Sequence, residues 1–384
     1  MRIGVDIRVL MDKYYSGISE YTANLLTALL RQDQKNHYRL FYNSWHDQAE
    51  RLSAWEKKNA TLVATRWPNK VFNYLLQKSL AWPKIDNLLG GVDIFWSPHF
   101  NFSRLNPLPY GPKKIITVHD LSFLRYPEFF SRRKNFWHRA LGVKKIMREA
   151  EAIVAVSENT KNDIMELAGV SEDKIKVIYS GNNLPAREVS FQEKQTVLEK
   201  FNIRGSFILY IGNIEPRKNI AGLISAFDIL KNSLGEKGNG LELILAGADG
   251  WKNRHIYRTW QNSPYKGEIK FLGYIEKSEK EVLYSTATAF AYPSFYEGFG
   301  FPPLEALAYG LPLVCSNVSS LPEVVGEAAI LINPYRPLEI AKALELILSD
   351  QDLRLDLAVR GQKRAKRFSW DKSATQYLEL FENL

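Results

Sequence analysis

The stretch Ala287-Thr288-Ala289-Phe290-Ala291-Tyr292-Pro293-Ser294-Phe295-Tyr296-Glu297-Gly298-Phe299-Gly300-Phe301-Pro302-Pro303-Leu304-Glu305 reads as a buried strand, a glycine turn and the start of a helix. Residues 287–291 are an apolar run of strand length. Pro303 opens a short helix, and Gly310 and Pro312 close it. Gly298 and Gly300 leave backbone N–H groups uncovered at the helix start, a place suited to phosphate oxygens. Glu305 is expected in the first helical turn, where its carboxylate can accept hydrogen bonds from the vicinal hydroxyls of a ribose. Glu297 precedes the glycines and can reach another part of the same ligand. A carboxylate favoured by the helix dipole accounts for Glu305 alone. It leaves the glycines, the aromatics and Glu297 without a role.

The same alternation runs outward in both directions. Upstream, the strand pattern 207–211 leads into Gly212-Asn213-Ile214-Glu215-Pro216-Arg217-Lys218-Asn219 and a helix over 220–230. Pro216 stiffens the turn and Asn219 is placed to cap the helix. Adjacent Arg217 and Lys218 at a helix entrance can grip a diphosphate, or form a plain exposed basic turn. Further strands are expected at 241–246, 269–272, 312–315 and 329–332. In the first half they are expected at 2–9, 38–42, 92–96, 114–118 and 152–156. A glycine-containing loop (14–19) and a helix (20–30) follow the first of these. A long helical segment (337–366), a break at Phe368-Ser369-Trp370 and a final helix (372–384) end the chain. Short apolar runs alternating with amphipathic segments predict α/β architecture with parallel sheets. Two such halves are expected, 1–185 and 186–367, with 368–384 free to leave the second. Ligands of open parallel sheets sit beyond the carboxyl ends of the strands, so two facing sheets would form a cleft.

Length and composition agree with that division. The 384 residues exceed what one core usually organises, and 45% hydrophobic with 24% charged residues describes a globular protein. One cysteine, Cys315, excludes a disulfide framework and any multi-cysteine metal site. No run reaches the ~18–20 apolar residues of a membrane span. Asp6 and Arg8 interrupt the opening segment, against a signal peptide, so a cytoplasmic location is expected. The net charge of +9 lies wholly in residues 1–185, which hold 27 of the 51 Lys+Arg and 18 of the 42 Asp+Glu. Nucleic acid, an anionic membrane and a phosphorylated substrate each attract such a half.

Glu297 and Glu305, followed by Ala306-Leu307-Ala308-Tyr309-Gly310-Leu311-Pro312-Leu313-Val314 and Ser319-Ser320-Leu321-Pro322-Glu323-Val324, resemble family 4 of the retaining glycosyltransferases. So do Ser16-Gly17-Ile18, Val118-His119-Asp120, Val156-Ser157-Glu158, Pro216-Arg217-Lys218-Asn219, Ala246-Gly247 and Phe271-Leu272-Gly273-Tyr274. The set covers nearly the whole chain. The resemblance implies a GT-B fold, two Rossmann-like domains across a cleft, with the C-terminal helix crossing back to the first. It implies that Arg217, Lys218 and Gly17 meet the donor diphosphate and that Glu305 takes the ribose. Glu297 would contact the donor sugar, and backbone groups of Gly298, Phe299, Gly300 and Phe301 would line sugar and phosphates. Gly273 and Tyr274 would lie beside the base, and His119 near the reacting sugar. Read without the resemblance, His119 is a core or capping histidine. Breaking a glycosyl–phosphate bond builds positive charge on the sugar and negative charge on the diphosphate, and these groups would stabilise both. Neither a metal nor another cofactor is expected. Where relatives carry Asn-Gly-Val-Asp after the strand ending near Ile178, this chain has Tyr179-Ser180-Gly181-Asn182-Asn183.

Within the family the motifs look most like bacterial polysaccharide mannosyltransferases using GDP-mannose; Tyr126-Pro127-Glu128 points the same way. Glucosyl- and rhamnosyltransferases using UDP- or dTDP-sugars share much of the pattern. The acceptor is expected to be a glycan or a polyprenyl-diphosphate-linked one. Residues 131–148 carry Arg132, Arg133, Lys134, Arg139, Lys144, Lys145 and Arg148, no acid, and interleaved Phe136, Trp137, Leu141, Val143, Ile146 and Met147. That pattern fits adsorption to an anionic membrane at its inner face, or a core helix with a solvated basic face. Residues 71–84 form a second candidate. A nucleic-acid partner is not expected, since no binding module for one is present.

Overall fold

In a computed structural model describing residues 1–11, 17–46, 48–77 and 83–384, the strands gather into two all-parallel sheets. One unit comprises Met1–Arg125, Arg133–Asn183 and Ser369–Leu384; the other comprises Tyr126–Arg132 and Leu184–Phe368. In the first unit β1 (Arg2–Asp6), β2 (His37–Asn43), β3 (Ala60–Thr65), β4 (Ile94–Ser97), β5 (Lys113–Val118), β6 (Ala152–Ala155) and β7 (Ile175–Val177) lie in the order 3-2-1-4-5-6-7. In the second unit β8 (Phe207–Ile211), β9 (Glu242–Ala246), β10 (Ile269–Gly273), β11 (Ala289–Tyr292), β12 (Leu313–Ser316) and β13 (Ile330–Ile332) take the order 10-9-8-11-12-13. Each order reverses direction beside its first strand, β1 and β8 respectively. The loops after the strands flanking that reversal are where such sheets place ligands.

The α/β expectation is met, and the central strands fall where their apolar runs lie. Strands β4, β6, β8, β9, β11 and β12 are buried at every residue, because helices cover both faces of a parallel sheet. Strand β3 was not anticipated, and β7 only as the strand that ends near Ile178 in the family pattern. Both are sheet edges with partly exposed residues, so they lack the continuous apolar signal. The segment 337–366 is two helices, Pro337–Ser349 and Gln351–Ala365. Asp350 breaks it, its carboxylate accepting from the Leu353 N–H at 2.9 Å.

The basic stretch 131–148 also divides, into Arg132–Leu141 and Val143–Arg148, at Gly142 with φ of 64°. Its apolar residues do not form one stripe. Leu141, Val143 and Met147 enter the core beside Ile116, Val118 and Ile153. Only Phe136 and Trp137 face outward, 74% and 45% exposed. In the second candidate stretch Phe72 and Leu76 are buried and Tyr74 is exposed, while Lys78, Leu80 and Trp82 lie outside the described residues, as do residues 14–16 of the glycine loop.

The C-terminal helix Trp370–Glu382 packs on helix Gly17–Gln32 within the first unit. Tyr377 Oη lies 2.9 Å from Tyr21 Oη and 2.6 Å from Thr117 Oγ1, which accepts from Trp96 Nε1 at 3.0 Å. Ser373 Oγ donates to the Tyr179 carbonyl at 2.6 Å, and Asn183 bonds Asn24 and Glu20. Gly181 lies against Trp370 so closely that a Cβ would collide with its backbone nitrogen and ring. The unusual turn 179–183 thus serves as a socket for this helix. Among the described residues no helix is long and apolar enough to cross a membrane.

Candidate functional site

Two loops of the second unit meet beyond the ends of β8 and β11. After β8, Gly212 to Glu215 lead into a 3-10 turn, Pro216–Lys218, with Pro216 fixing its entry. Asn219 follows in the left-handed region at φ of 56°. Its side chain does not cap the next helix as expected; Asn219 Nδ2 donates instead to the Pro334 carbonyl at 2.6 Å. After β11, Phe295 N–H donates to the Arg217 carbonyl at 2.9 Å and fastens one loop to the other. The Glu297 N–H donates to Ser319 Oγ, and Ser320 Oγ bridges the carbonyls of Glu297 and Phe299, each at 3.0 Å. Gly300 has φ of 107°, and a Cβ there would sit 2.8 Å from Leu321 Cδ2. Only glycine satisfies both the angle and the space.

These loops bring Arg217, Lys218 and Glu297 into one buried charge cluster. Lys218 Nζ lies 2.6 Å from Glu297 Oε1 and donates to Tyr292 Oη at 2.9 Å. Arg217 Nη1 lies 3.0 Å from Glu297 Oε2 and 2.7 Å from the Tyr296 carbonyl. Its Nε and Nη2 clasp Glu215 Oε1 at 3.1 and 2.8 Å. Two cations face two carboxylates. Burial works to raise the Glu297 pKa, but the charges of Arg217 and then Lys218 prevail and hold it at about 2. Burial and then repulsion from Arg217 lower the Lys218 ammonium, against the pull of Glu297 and Glu215. Burial and the Glu297 charge keep Tyr292 well above its usual value. Glu297 is therefore a carboxylate at neutral pH, and Tyr292 a neutral phenol.

Glu305 occupies a separate niche, and the expectation for its position needs correction. The helix runs Phe301–Ala308, starting two residues before Pro303, because Gly300 makes the turn at its N-cap. Glu305 is the fifth helical residue, beyond the first turn where the dipole acts. Side chains hold it instead. Its Oε2 pairs with Lys280 Nζ at 2.6 Å and accepts from Tyr284 Oη at 3.0 Å. Its Oε1 is buried without a hydrogen-bond partner among the described residues. An unsatisfied buried carboxylate oxygen is costly unless something completes it. Gly273 ends β10 at φ of 71°, and Tyr274 beside it is exposed.

The remaining two expected residues belong to the first unit. Gly17 is the first residue of helix Gly17–Gln32. His119 follows β5, its Nε2 lying 2.7 Å from the Pro98 carbonyl and its ring edge-on to Tyr21 at 4.7 Å. A carbonyl only accepts, so Nε2 carries the proton. Burial lowers the ring to about 4, and it is neutral at pH 7. Sequence reading missed Glu215, Tyr292, Lys280 and Tyr284 as functional neighbours. The i, i+4 spacing of Lys280 and Tyr284 on helix Lys277–Thr286 puts both on one face, and only that spacing hinted at them.

Comparisons with known proteins identify the family. The model described as Glycosyltransferase Family 4 matches residues 15–184, and that described as Glycosyl transferases group 1 matches residues 192–364. The chain is 35% identical over 283 residues to O-antigen chain mannosyltransferase B of Escherichia coli, covering 72% of each. It is 30% identical over 227 residues to O-antigen chain mannosyltransferase RfbU of Salmonella typhimurium, covering 59% of this chain and 58% of that one. Among solved structures, Anabaena Alr3699/HepE in complex with UDP and glucose superposes with a TM-score of 0.74 at 18% identity, over the full length of both chains. That likeness shows the GT-B fold. With both family models matched and a relative at this identity and coverage, the chain belongs to glycosyltransferase family 4.

Proposed function

We propose that this glycosyltransferase moves mannose from GDP-mannose, with retention of configuration, onto a glycan or polyprenyl-diphosphate-linked acceptor in surface polysaccharide synthesis. The observation that carries the reading is the buried Arg217–Lys218–Glu297 cluster at the ends of β8 and β11. The kinship to O-antigen mannosyltransferases supports the choice of sugar. In this reading Arg217 and Lys218 turn from Glu297 to the diphosphate and neutralise the leaving nucleotide. Glu297, released from part of its ion pairing, lies against the donor sugar where positive charge develops. Backbone groups of Gly298 to Phe301 line the sugar and phosphates, and the open Oε1 of Glu305 accepts from the ribose. Gly273 and Tyr274 flank the base. Gly17 serves the diphosphate, and His119, as a neutral ring, the reacting sugar. Retention follows from front-face attack, with the leaving phosphate taking the acceptor's proton, unlike the two-carboxylate route of hydrolases. With two side-chain cations for the diphosphate, transfer proceeds without an added divalent ion.

We place the enzyme at an anionic membrane surface through helix Arg132–Leu141 alone. There Phe136 and Trp137 project among exposed Arg132, Arg133, Lys134 and Arg139. A panel of nucleotide sugars read by thermal stabilisation tests the donor. GDP-mannose is expected to raise the melting temperature most; preference for a UDP- or dTDP-sugar would replace the mannosyl reading, and no response to any would overturn it.

A further inference from the structure

The motif Tyr126-Pro127-Glu128 has no part in the transfer reading above, yet the fold gives it a definite place. The chain leaves the first unit after Arg125, runs through Tyr126–Arg132 as part of the second, and returns at Arg133. This strap is stiff. Pro127–Phe129 forms a 3-10 turn, and the Phe129 and Phe130 N–H groups donate to the Tyr126 and Pro127 carbonyls, each at 3.1 Å. Its own carbonyls are held by the loop after β9: Lys252 Nζ donates to Glu128 at 2.7 Å and Trp251 Nε1 to Phe129 at 2.6 Å. Buried Phe130 stacks on the Trp251 ring at 5.5 Å. Its rings meet the loop after β11. Phe129 stacks on Phe295 with centroids 5.7 Å apart and planes 13° from parallel, and Tyr126 lies against Tyr296 at 5.8 Å. Strands β9 and β11 flank β8, so the strap joins the loops on either side of the one that carries Arg217 and Lys218.

The two ring contacts fall on the residues that immediately precede Glu297. The Phe295 N–H donates to the Arg217 carbonyl at 2.9 Å, and the Tyr296 carbonyl accepts from Arg217 Nη1 at 2.7 Å. A shift of Phe295 or Tyr296 therefore carries with it the Arg217 main chain, its guanidinium and the carboxylate next in sequence. On the far side Ser319 and Ser320 hold this loop at Glu297 and Phe299. On the near side side-chain packing must do so. Phe295 also stacks on Tyr335 at 4.7 Å, but that ring is 62% exposed and makes a loose wall. A turn that merely covered the loop would need only apolar bulk. Here two donors from the β9 loop fix the strap's main chain, so its rings arrive already aimed, and parallel stacking is sensitive to orientation. Transfer depends on such aim, since a misplacement of about 1 Å costs ~10²-fold in rate and reacting groups keep their place only where neighbours lock them.

We propose that Tyr126 and Phe129 are positioning residues: the strap clamps Tyr296 and Phe295 and so sets where Glu297 and Arg217 stand for transfer. The proposal rests on the transfer reading above for its consequence in rate, though not for the clamp itself. The test uses the full chain with Phe129→Ala, Tyr126→Ala and the conservative Phe129→Tyr. Amide hydrogen exchange without ligand is followed over residues 293–300 by mass spectrometry, with β12 as the reference. Transfer from GDP-mannose, or from whichever nucleotide sugar stabilises the chain most, gives kcat and donor KM. Each alanine variant is expected to speed exchange over 293–300 by about tenfold or more with β12 unchanged. Each should lower kcat ~10-fold or more while donor KM moves by less than about threefold, because Lys218 and Glu305 still hold the donor. Phe129→Tyr should restore exchange and kcat to near the parent's. Faster exchange in β12 as well, or parallel loss in kcat and donor affinity, would mean packing alone and overturn the proposal. So would unchanged exchange over 293–300, or a kcat within about twofold of the parent's, in both alanine variants. Should Phe129→Ala fail to fold, Tyr126→Ala, at a partly exposed ring, decides alone. If the parent transfers from no nucleotide sugar, the transfer reading falls and the exchange measurement still decides the clamp.

Discussion

Replacing Glu297 by glutamine tests the charge cluster most directly, because it keeps the shape and removes one charge. The carboxylate is shared between Lys218 Nζ at 2.6 Å and Arg217 Nη1 at 3.0 Å, in a site where Glu297 is 6% exposed. Its pKa falls from the ordinary 4.5 to about 2. At ~1.4 kcal/mol per pKa unit this amounts to about 3 kcal/mol favouring the ionised form in the folded state. Glutamine forfeits that and leaves two cations against Glu215 alone, the condition in which broken buried pairs are most destabilising. For a domain of this size the loss corresponds to a fall of roughly 6–12 °C in melting temperature. A nucleoside diphosphate brings negative charge to the same two cations, so saturating GDP should restore much of the difference. Thermal unfolding with and without GDP is the assay, with mannosyl transfer measured beside it. The variant should melt lower, gain more from GDP than the parent does, and lose ~10²–10³-fold or more in transfer rate. An unchanged melting temperature with an unchanged GDP shift would refute the electrostatic account, and near-normal transfer would refute the role of Glu297.

Other perturbations read other parts. Glu305→Gln should weaken donor binding ~10–100-fold and abolish discrimination between GDP-mannose and its 2′-deoxyribose analogue, in competition assays, since it alters the oxygen left open beside Lys280 and Tyr284. Gly181→Ala should destabilise by about 1–3 kcal/mol in urea unfolding, because the added Cβ must displace Trp370. His99 and His119 both titrate near 4 in the folded protein against 6.5 ordinarily, so the unfolded chain binds more protons between those values. Stability should therefore fall as pH drops from 6.5 towards 4, and His119→Asn should flatten part of that slope in pH-dependent melts; the Glu297 contribution fades only below, from 4.5 towards 2. Transfer should persist in excess EDTA, and its loss there would overturn the metal-independent reading.

What the sequence disclosed follows from how each element is buried. The second sheet was legible strand by strand, because its strands read as apolar runs between turns. In the first sheet β3 escaped notice as a half-exposed edge, and β7, the other edge, showed only through the family pattern that ends a strand near Ile178. Arg217, Lys218 and Glu297 could be picked out as chemistry-bearing residues after strands, but not as one cluster. Their meeting depends on the hydrogen bond from Phe295 N to the Arg217 carbonyl, which joins loops ~80 residues apart. Asn219 looked like a cap until tertiary structure offered it the Pro334 carbonyl. Glu305 looked like a first-turn carboxylate because the left-handed Gly300 that advances the helix start is a property of φ, not of composition.

The charge asymmetry also takes on a sharper sense. An excess of +9 confined to residues 1–185 invites the search for a phosphate site in that half, yet these buried cations of both units are locally balanced. Arg217 and Lys218 are matched by Glu215 and Glu297 in the second unit, and Arg8 by Asp6 in the first. Balance is what burial requires, since an unpaired charge taken from water is prohibitively expensive. A buried site therefore leaves little trace in net charge, and a surplus must reside where water screens it. Exposed Arg132, Arg133, Lys134, Arg139, Lys144 and Lys145 fit that demand. Such a field acts over a Debye length of about 8 Å at physiological salt, too short to order a substrate yet sufficient to hold a surface near an anionic plane at ~1 kcal/mol per basic residue. The two kinds of positive charge in this chain thus divide by depth, the buried cations matched one by one with carboxylates and the surplus held at the surface, where water screens it.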